Sequence, residues 1–204
     1  EALGGLRACL ARADDDRSSI HDARARRTGF GARSIPQKQG RPLPRRGASP
    51  ISYPMEFAIP LAGEAATARL GDSLGRLLRP GDVIGLSGPL GAGKTTLARA
   101  AIGAATGLAE APSPTFGLVE TYDAPGFTLW DFDLYRLEKA EEVWELGLEE
   151  ALDGGVLLIE WPERIMPLLP ASMLLIRLTP QDGGRRALVR GNEEWSARVK
   201  ALYP

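Results

Sequence analysis

Gly88-Pro-Leu-Gly-Ala-Gly-Lys-Thr-Thr96 is the stretch from which the architecture of this 204-residue chain follows. Residues 88–95 fit the pattern G-x-x-x-x-G-K-[ST]. The apolar run Val83-Ile-Gly-Leu86 precedes it, and the helix-like segment Thr95-Thr-Leu-Ala-Arg-Ala-Ala-Ile102 follows. Strand, glycine loop and helix is the order that a phosphate-cradling loop requires. The small residues Gly88, Gly91, Ala92 and Gly93 let successive backbone N–H groups turn inward, and the helix start at Lys94, Thr95 and Thr96 adds partial positive charge. In that pattern Lys94 reaches the outer phosphates and the Thr95 hydroxyl binds Mg²⁺. An ordinary glycine turn would leave the three glycines and the Lys-Thr pair at fixed offsets unexplained.

Outward from the loop, apolar strands alternate with helical spacing. Met55–Pro60 reads as a strand, and Glu64–Leu78 as a helix ended by Pro80-Gly81. Phe116–Tyr122 and Phe127–Asp133 flank Asp123-Ala-Pro-Gly126, a hairpin signal. Glu138–Leu152 reads as a helical region broken at Gly147, and Val156-Leu-Leu-Ile159 as a buried strand. Ser172–Thr179 and Arg185–Arg190 form a late strand pair, and Glu193–Leu202 closes as a helix. The pattern predicts an α/β fold of the P-loop NTPase kind. Its sheet is mostly parallel with antiparallel additions, and helices flank it. A ligand then sits at the carboxyl ends of the parallel strands, where Gly88, Asp133 and Glu160 fall.

Composition narrows the chemistry. The chain has one cysteine, Cys9, and one histidine, His21. Beyond residue 21, Ser-His-Asp, Cys-His and His-ligated metal mechanisms are therefore closed. Carboxylates, Lys, Arg, hydroxyls and a hard cation remain. No run approaches the ~18 apolar residues of a membrane span, and the first residues do not resemble a signal peptide, since Arg7 and Arg12 interrupt Leu3–Ala13. The expected location is the cytoplasm.

Charge divides the chain. Residues 1–54 carry eleven Lys/Arg and five Asp/Glu, whereas residues 55–204 carry fourteen and twenty-one. The first segment is rich in Arg, Gly, Ser and Pro and is read as a disordered, basic extension. It is either an arm that touches RNA or a stretch upstream of a true start at Met55, and the second reading is preferred. Residues 55–204 form the folded domain. Their acidic balance argues against tight nucleic-acid binding by that domain alone.

Three further stretches carry chemistry. Val156-Leu-Leu-Ile-Glu160 is an apolar strand ending in an acid, the expected partner of Thr95 at Mg²⁺, directly or through a water; a solvated strand-end acid would look similar. Trp161 follows where many ATPases place a second acid, so one carboxylate has to serve. In Trp130-Asp-Phe-Asp-Leu-Tyr-Arg136, alternation puts Asp131 and Asp133 on one strand face. Asp133 is the candidate for orienting an attacking water or supporting Mg²⁺. The alternative, that both acids lie on a wet face, is stronger for Asp131. Arg136 either neutralises transition-state charge or pairs with Glu138 or Glu142. Ser113-Pro-Thr-Phe116 offers two hydroxyls, Ser113 and Thr115, that would sense a γ-phosphate as switch loops do.

The ordered set Gly88–Thr96, Ser113-Pro-Thr-Phe116, Phe132-Asp-Leu-Tyr-Arg136, Leu146-Gly-Leu148 and Ile159-Glu-Trp-Pro162 resembles the TsaE-type ATPase subunit of the bacterial machinery making N6-threonylcarbamoyladenosine at position 37 of tRNA. The resemblance spans about residues 55–190. It implies an ATP- and Mg²⁺-dependent subunit, weakly hydrolytic alone, that works with TsaD-type and TsaB-type partners and meets tRNA through them. By motif position it implies Gly88–Thr95 as phosphate loop, Thr95 and Glu160 as metal ligands, and Lys94, Asp133 and Glu160 as the groups acting on ATP. It also implies Trp161 at the site or the partner surface, Glu64 and Thr67 near adenine, and Arg185 near the nucleotide. Asp131 departs from the histidine that many members carry, and residues 1–54 have no counterpart. Two other readings share these residues: a P-loop small-molecule kinase, and a docking scaffold that binds nucleotide without significant turnover. A guanine reader is disfavoured, because Asn192, the sole asparagine, is followed by Glu-Glu-Trp rather than Lys-x-Asp.

Overall fold

A computed structural model describes residues 53–109 and 117–202. The segment 1–52, Ser113 and Thr115 lie outside the described residues. Seven strands build one sheet: β1 (Met55–Leu61), β2 (Val83–Ser87), β3 (Val119–Ala124), β4 (Phe127–Asp133), β5 (Val156–Glu160), β6 (Leu174–Gln181) and β7 (Gly184–Gly191). Their order is β1-β7-β6-β2-β5-β4-β3. The central four, β6, β2, β5 and β4, run parallel. The hairpin strands β3 and β7, together with β1, add antiparallel neighbours at both edges. This is the mixed α/β sheet that the sequence pattern predicts.

Helices α1 (Glu64–Gly75), α2 (Lys94–Thr106), α3 (Leu148–Leu152) and α4 (Glu193–Arg198) cover the sheet on both faces. Alternation along β5 shows why. Val156 and Leu158 join the cluster that contains Leu70 and Leu74 of α1, Leu97, Ala101 and Ile102 of α2, and Trp195 of α4. Leu157 and Ile159 join the opposite cluster with Val143, Leu148 and Met173. Successive side chains point to opposite faces, so Glu160 continues the row of Leu158 and emerges on the α1–α2 side. By the same parity Asp131 and Asp133 continue the row of Leu129, on that same side.

Helix α1 lies against α2 in nearly direct backbone contact. A Cβ built on Gly71 would stand 2.3 Å from the Leu97 carbonyl oxygen and 2.8 Å from Ala100 Cβ. One turn on, Gly75 would meet the Ala101 oxygen at 2.2 Å. The matched progression 71 to 97 and 75 to 101 means that the two helices run in the same sense. Both therefore begin at the end where the glycine loop sits.

Element ends differ in detail from the sequence expectation. The helix expected to reach Leu78 stops at Gly75, with Arg76 as its cap. The region 138–152 resolves into a 3₁₀ turn, Ala140–Trp144, and the short α3, separated by Gly147 in the left-handed region. The closing helix is α4 followed by a 3₁₀ turn, Val199–Leu202. A buried clamp fixes it: the Arg198 guanidinium pairs with the Asp82 carboxylate, donates to the Leu77 carbonyl and stacks on the Trp195 ring at 4.0 Å.

Candidate functional site

The loop between β2 and α2 reaches its shape through glycine. Gly93 has φ 99°, left-handed, and a Cβ there would collide with Arg185 Nη1 at 2.2 Å. Only a residue without a side chain lets the Arg185 guanidinium approach the helix start so closely. Arg185 reaches the loop from β7, which β6 separates from β2 in the sheet.

Lys94, the first helical residue, is 4% exposed. Its ammonium donates to the carbonyl oxygens of Gly88 (2.9 Å) and Pro89 (3.0 Å) and sits 4.0 Å from the centre of the Trp161 ring. Burial holds its pKa below the ordinary lysine value, while Glu160, Asp133 and Glu163 pull the other way. Beside it, Thr95 Oγ1 donates to Glu160 Oε2 at 3.0 Å. Glu160 is 3% exposed, and burial pushes its carboxyl up to about 7. The Thr95 hydrogen bond and the Lys94 and Arg99 charges resist that rise, and Asp133 adds to it. A buried carboxylate and a hydroxyl converging on one point form the oxygen donor set that Mg²⁺ prefers, and a cation there would relieve the cost of the buried charge.

A cavity of about 300 Å³ is lined by Gly91, Gly93, Lys94, Thr95, Thr96, Glu64, Asp133, Tyr135, Glu160, Trp161, Arg185 and the exposed Leu90. The structure thus gathers most of the residues singled out from sequence around one space. Thr96 Oγ1 also faces Glu64 Oε1, at a long 3.5 Å. Gly88 and Ala92 shape the loop from below without lining the cavity. Thr67 is fully buried, and its hydroxyl donates to the Gly63 carbonyl at 3.2 Å. Asp133 is half-buried at the cavity wall, and its Oδ1 accepts from the Tyr135 N–H at 3.1 Å. Arg136 is exposed and makes no ion pair among the described residues.

Two features were not visible from sequence. Asp131 does not lie on a wet face: it is 2% exposed, and its Oδ1 has no hydrogen-bond partner among the described residues. Burial, then the charges of Glu160, Asp133 and Glu120, raise it to about 8 against the opposing Arg99. Arg99, one turn beyond Thr95 on α2, is the cation facing these acids. The second feature is the conformation of Trp161, a non-glycine residue at φ 61°. Its ring contacts Tyr135, with centroids 5.0 Å apart.

The sheet with helices on both faces, and a glycine loop leading from its central strand into a helix, define the P-loop-like class of α/β proteins. A family model described as "Threonylcarbamoyl adenosine biosynthesis protein TsaE" matches residues 61–188, and the chain belongs to the TsaE family. A Rickettsia conorii protein named tRNA threonylcarbamoyladenosine biosynthesis protein TsaE is 43% identical over 130 residues, covering 62% of this chain and 73% of that one. Proteins of the same name from Rickettsia bellii and Treponema pallidum are each 41% identical. They cover 65% and 63% of this chain and 93% and 90% of their own lengths. The crystal structure of Bacillus subtilis YdiB superposes with a TM-score of 0.59 at 23% identity, over 72% of this chain and 94% of that one, a likeness of fold.

Proposed function

We propose that this protein is a Mg²⁺-dependent ATP-binding and ATP-hydrolysing subunit required for threonylcarbamoylation of adenosine 37 in tRNA. In this reading it acts in the cytoplasm with TsaD-type and TsaB-type partners, which bring the tRNA. The observation that carries the reading is the meeting of Thr95 and Glu160 beneath the glycine loop, beside the Lys94 ammonium, in a member of the TsaE family. Backbone N–H groups of the loop and the start of α2 face the phosphates, and Lys94 supplies the charge for their outer oxygens. Thr95 and Glu160 are the residues that would hold Mg²⁺, which when bound neutralises phosphate charge and draws electrons from the bond to be broken. Asp133, on the same sheet face as Glu160, orients the attacking water. Arg185 and Glu64, which line the same cavity, flank the nucleotide, and Trp161 packs along the lysine.

The test is phosphate release from Mg-ATP by the purified protein, alone and with the two partner subunits. Partner-stimulated release that is abolished in Lys94→Ala and Thr95→Ala supports the reading. Glu160→Ala is expected to lower release by ~10²–10³, the typical cost of one preorganised charge-stabilising group. Unchanged release in the Lys94 or Thr95 variant overturns the site, and phosphate appearing on a small acceptor would favour a kinase.

A further inference from the structure

Trp161 is followed by Pro162, Glu163 and Arg164, and these four residues form a strap folded back across the end of the sheet. The left-handed Trp161 turns the chain sharply after β5, and Pro162–Arg164 complete a 3₁₀ turn. The buried Pro162 rests over Gly85 of β2, where a Cβ would meet Pro162 Cγ at 3.1 Å. The Trp161 N–H donates to the Leu86 carbonyl at 3.1 Å, extending the β2–β5 pairing. This return brings the Glu163 carboxylate to Ser87, whose Oγ donates to Glu163 Oε1. Arg164 closes the other side by donating to the Tyr135 carbonyl at 3.1 Å.

Ser87 is the last residue of β2, buried, and directly precedes Gly88. Glu163 thus holds the residue from which the glycine loop departs. It does not itself line the cavity. A left-handed non-glycine residue is costly and persists where its surroundings hold it. Here it returns an acid to the loop in a strand end that offers only Glu160.

We propose that Glu163 is a positioning residue for phosphate binding. It acts through Ser87 to fix the start of the glycine loop. The proposal rests on the reading of the loop as an ATP site. An acceptor on a buried donor that is also charged is worth more than a neutral hydrogen bond, so its loss should be felt at the loop that Ser87 anchors.

The experiment measures Mg-ATP affinity by calorimetry, with thermal unfolding in parallel, for the full chain and for Glu163→Ala, Glu163→Gln, Ser87→Ala and the double variant Ser87→Ala/Glu163→Ala. Glu163→Ala and Ser87→Ala are each expected to weaken Kd about tenfold, the equivalent of about 1.4 kcal/mol. The double variant should be no weaker than either single, because both remove one interaction. Glu163→Gln, which keeps the acceptor and loses the charge, should fall between wild type and Glu163→Ala. Unchanged Kd in Glu163→Ala, with or without a lower melting temperature, overturns the proposal, and so do fully additive losses in the double variant. A wild-type chain that binds no Mg-ATP overturns the site reading itself, a result distinct from either.

Discussion

Gly71→Ala sets two opposing effects against each other in helix α1. In a solvent-exposed helix, replacing glycine by alanine stabilises by about 0.8–1 kcal/mol through backbone entropy. At Gly71 the new Cβ would stand 2.3 Å from the Leu97 carbonyl oxygen, whereas ordinary contact begins at 3.4 Å. The atom struck is main chain, so no rotamer change can relieve it. The helices must part by about 1 Å along a contact that also includes Ala100, and overpacking of this kind costs about 1–3 kcal/mol. The clash wins, and the expected net loss is about 1–2 kcal/mol. For a domain of this size that lowers Tm by roughly 3–6 °C. Gly103→Ala is the internal control, because among the described residues its Cβ would meet only the Leu108 oxygen, at 3.1 Å, and it should be nearly neutral. The assay is thermal unfolding of both variants beside wild type. A Gly71→Ala protein more stable than wild type would refute the reasoning, since it would mean that the helices are not held in backbone contact.

Asp131 has a folded-state pKa near 8, raised from an ordinary 3.8. The folded protein keeps a proton that the unfolded chain releases, so wild type should lose stability as pH rises from about 4 to about 8. Asp131→Asn should remove its share of that loss, the rest coming from Glu160, whose carboxyl is raised to about 7, and so melt above wild type at pH 8.5 and close to it at pH 4; a constant difference across the range would contradict the burial argument. Arg198→Ala should cost about 3 kcal/mol, because it strands Asp82 after breaking a pair in which the two side chains are 8% and 11% exposed. Denaturant unfolding measures this, and Mg-ATP affinity should stay at the wild-type value, since Asp82 lies at the start of β2 and the glycine loop at its end. Lys94→Ala should leave Tm near or above wild type, because it removes a desolvated ammonium, and abolish Mg-ATP binding. Paired melting and calorimetry would separate the two.

The parts of the fold that follow from local rules were legible in the chain. The apolar run Val156–Ile159 read as a buried strand, and the acid that ends it was expected to meet Thr95. The glycine loop announced its own strand and helix. What escaped depends on contacts between distant residues or on rare backbone states. Asp131 sits between strands β3 and β5 and beneath α2, so its burial is set by neighbours that alternation along β4 does not name. The Arg198–Asp82 clamp joins residues 116 apart. The return of Glu163 depends on a tryptophan at positive φ, a state that sequence patterns assign to glycine or asparagine. The position after Glu160 therefore read as lacking a second acid, when one arrives from three residues further along.

The shared direction of α1 and α2 bears on an apparent conflict of charge. The body of the chain is acidic, with fourteen cationic and twenty-one anionic side chains from residue 55 onward, yet its proposed ligand is a polyanion. At physiological salt, surface charges are screened beyond about 8 Å, so the distant acids contribute little at the loop. Each helix, by contrast, presents about half a positive charge at its beginning, and here both begin at the loop's end of the sheet, α1 about one turn beyond α2 and with Glu64 in its first turn. The glycine loop thus occupies the positive pole of a two-helix dipole, and a domain whose average potential is negative keeps one end hospitable to phosphate.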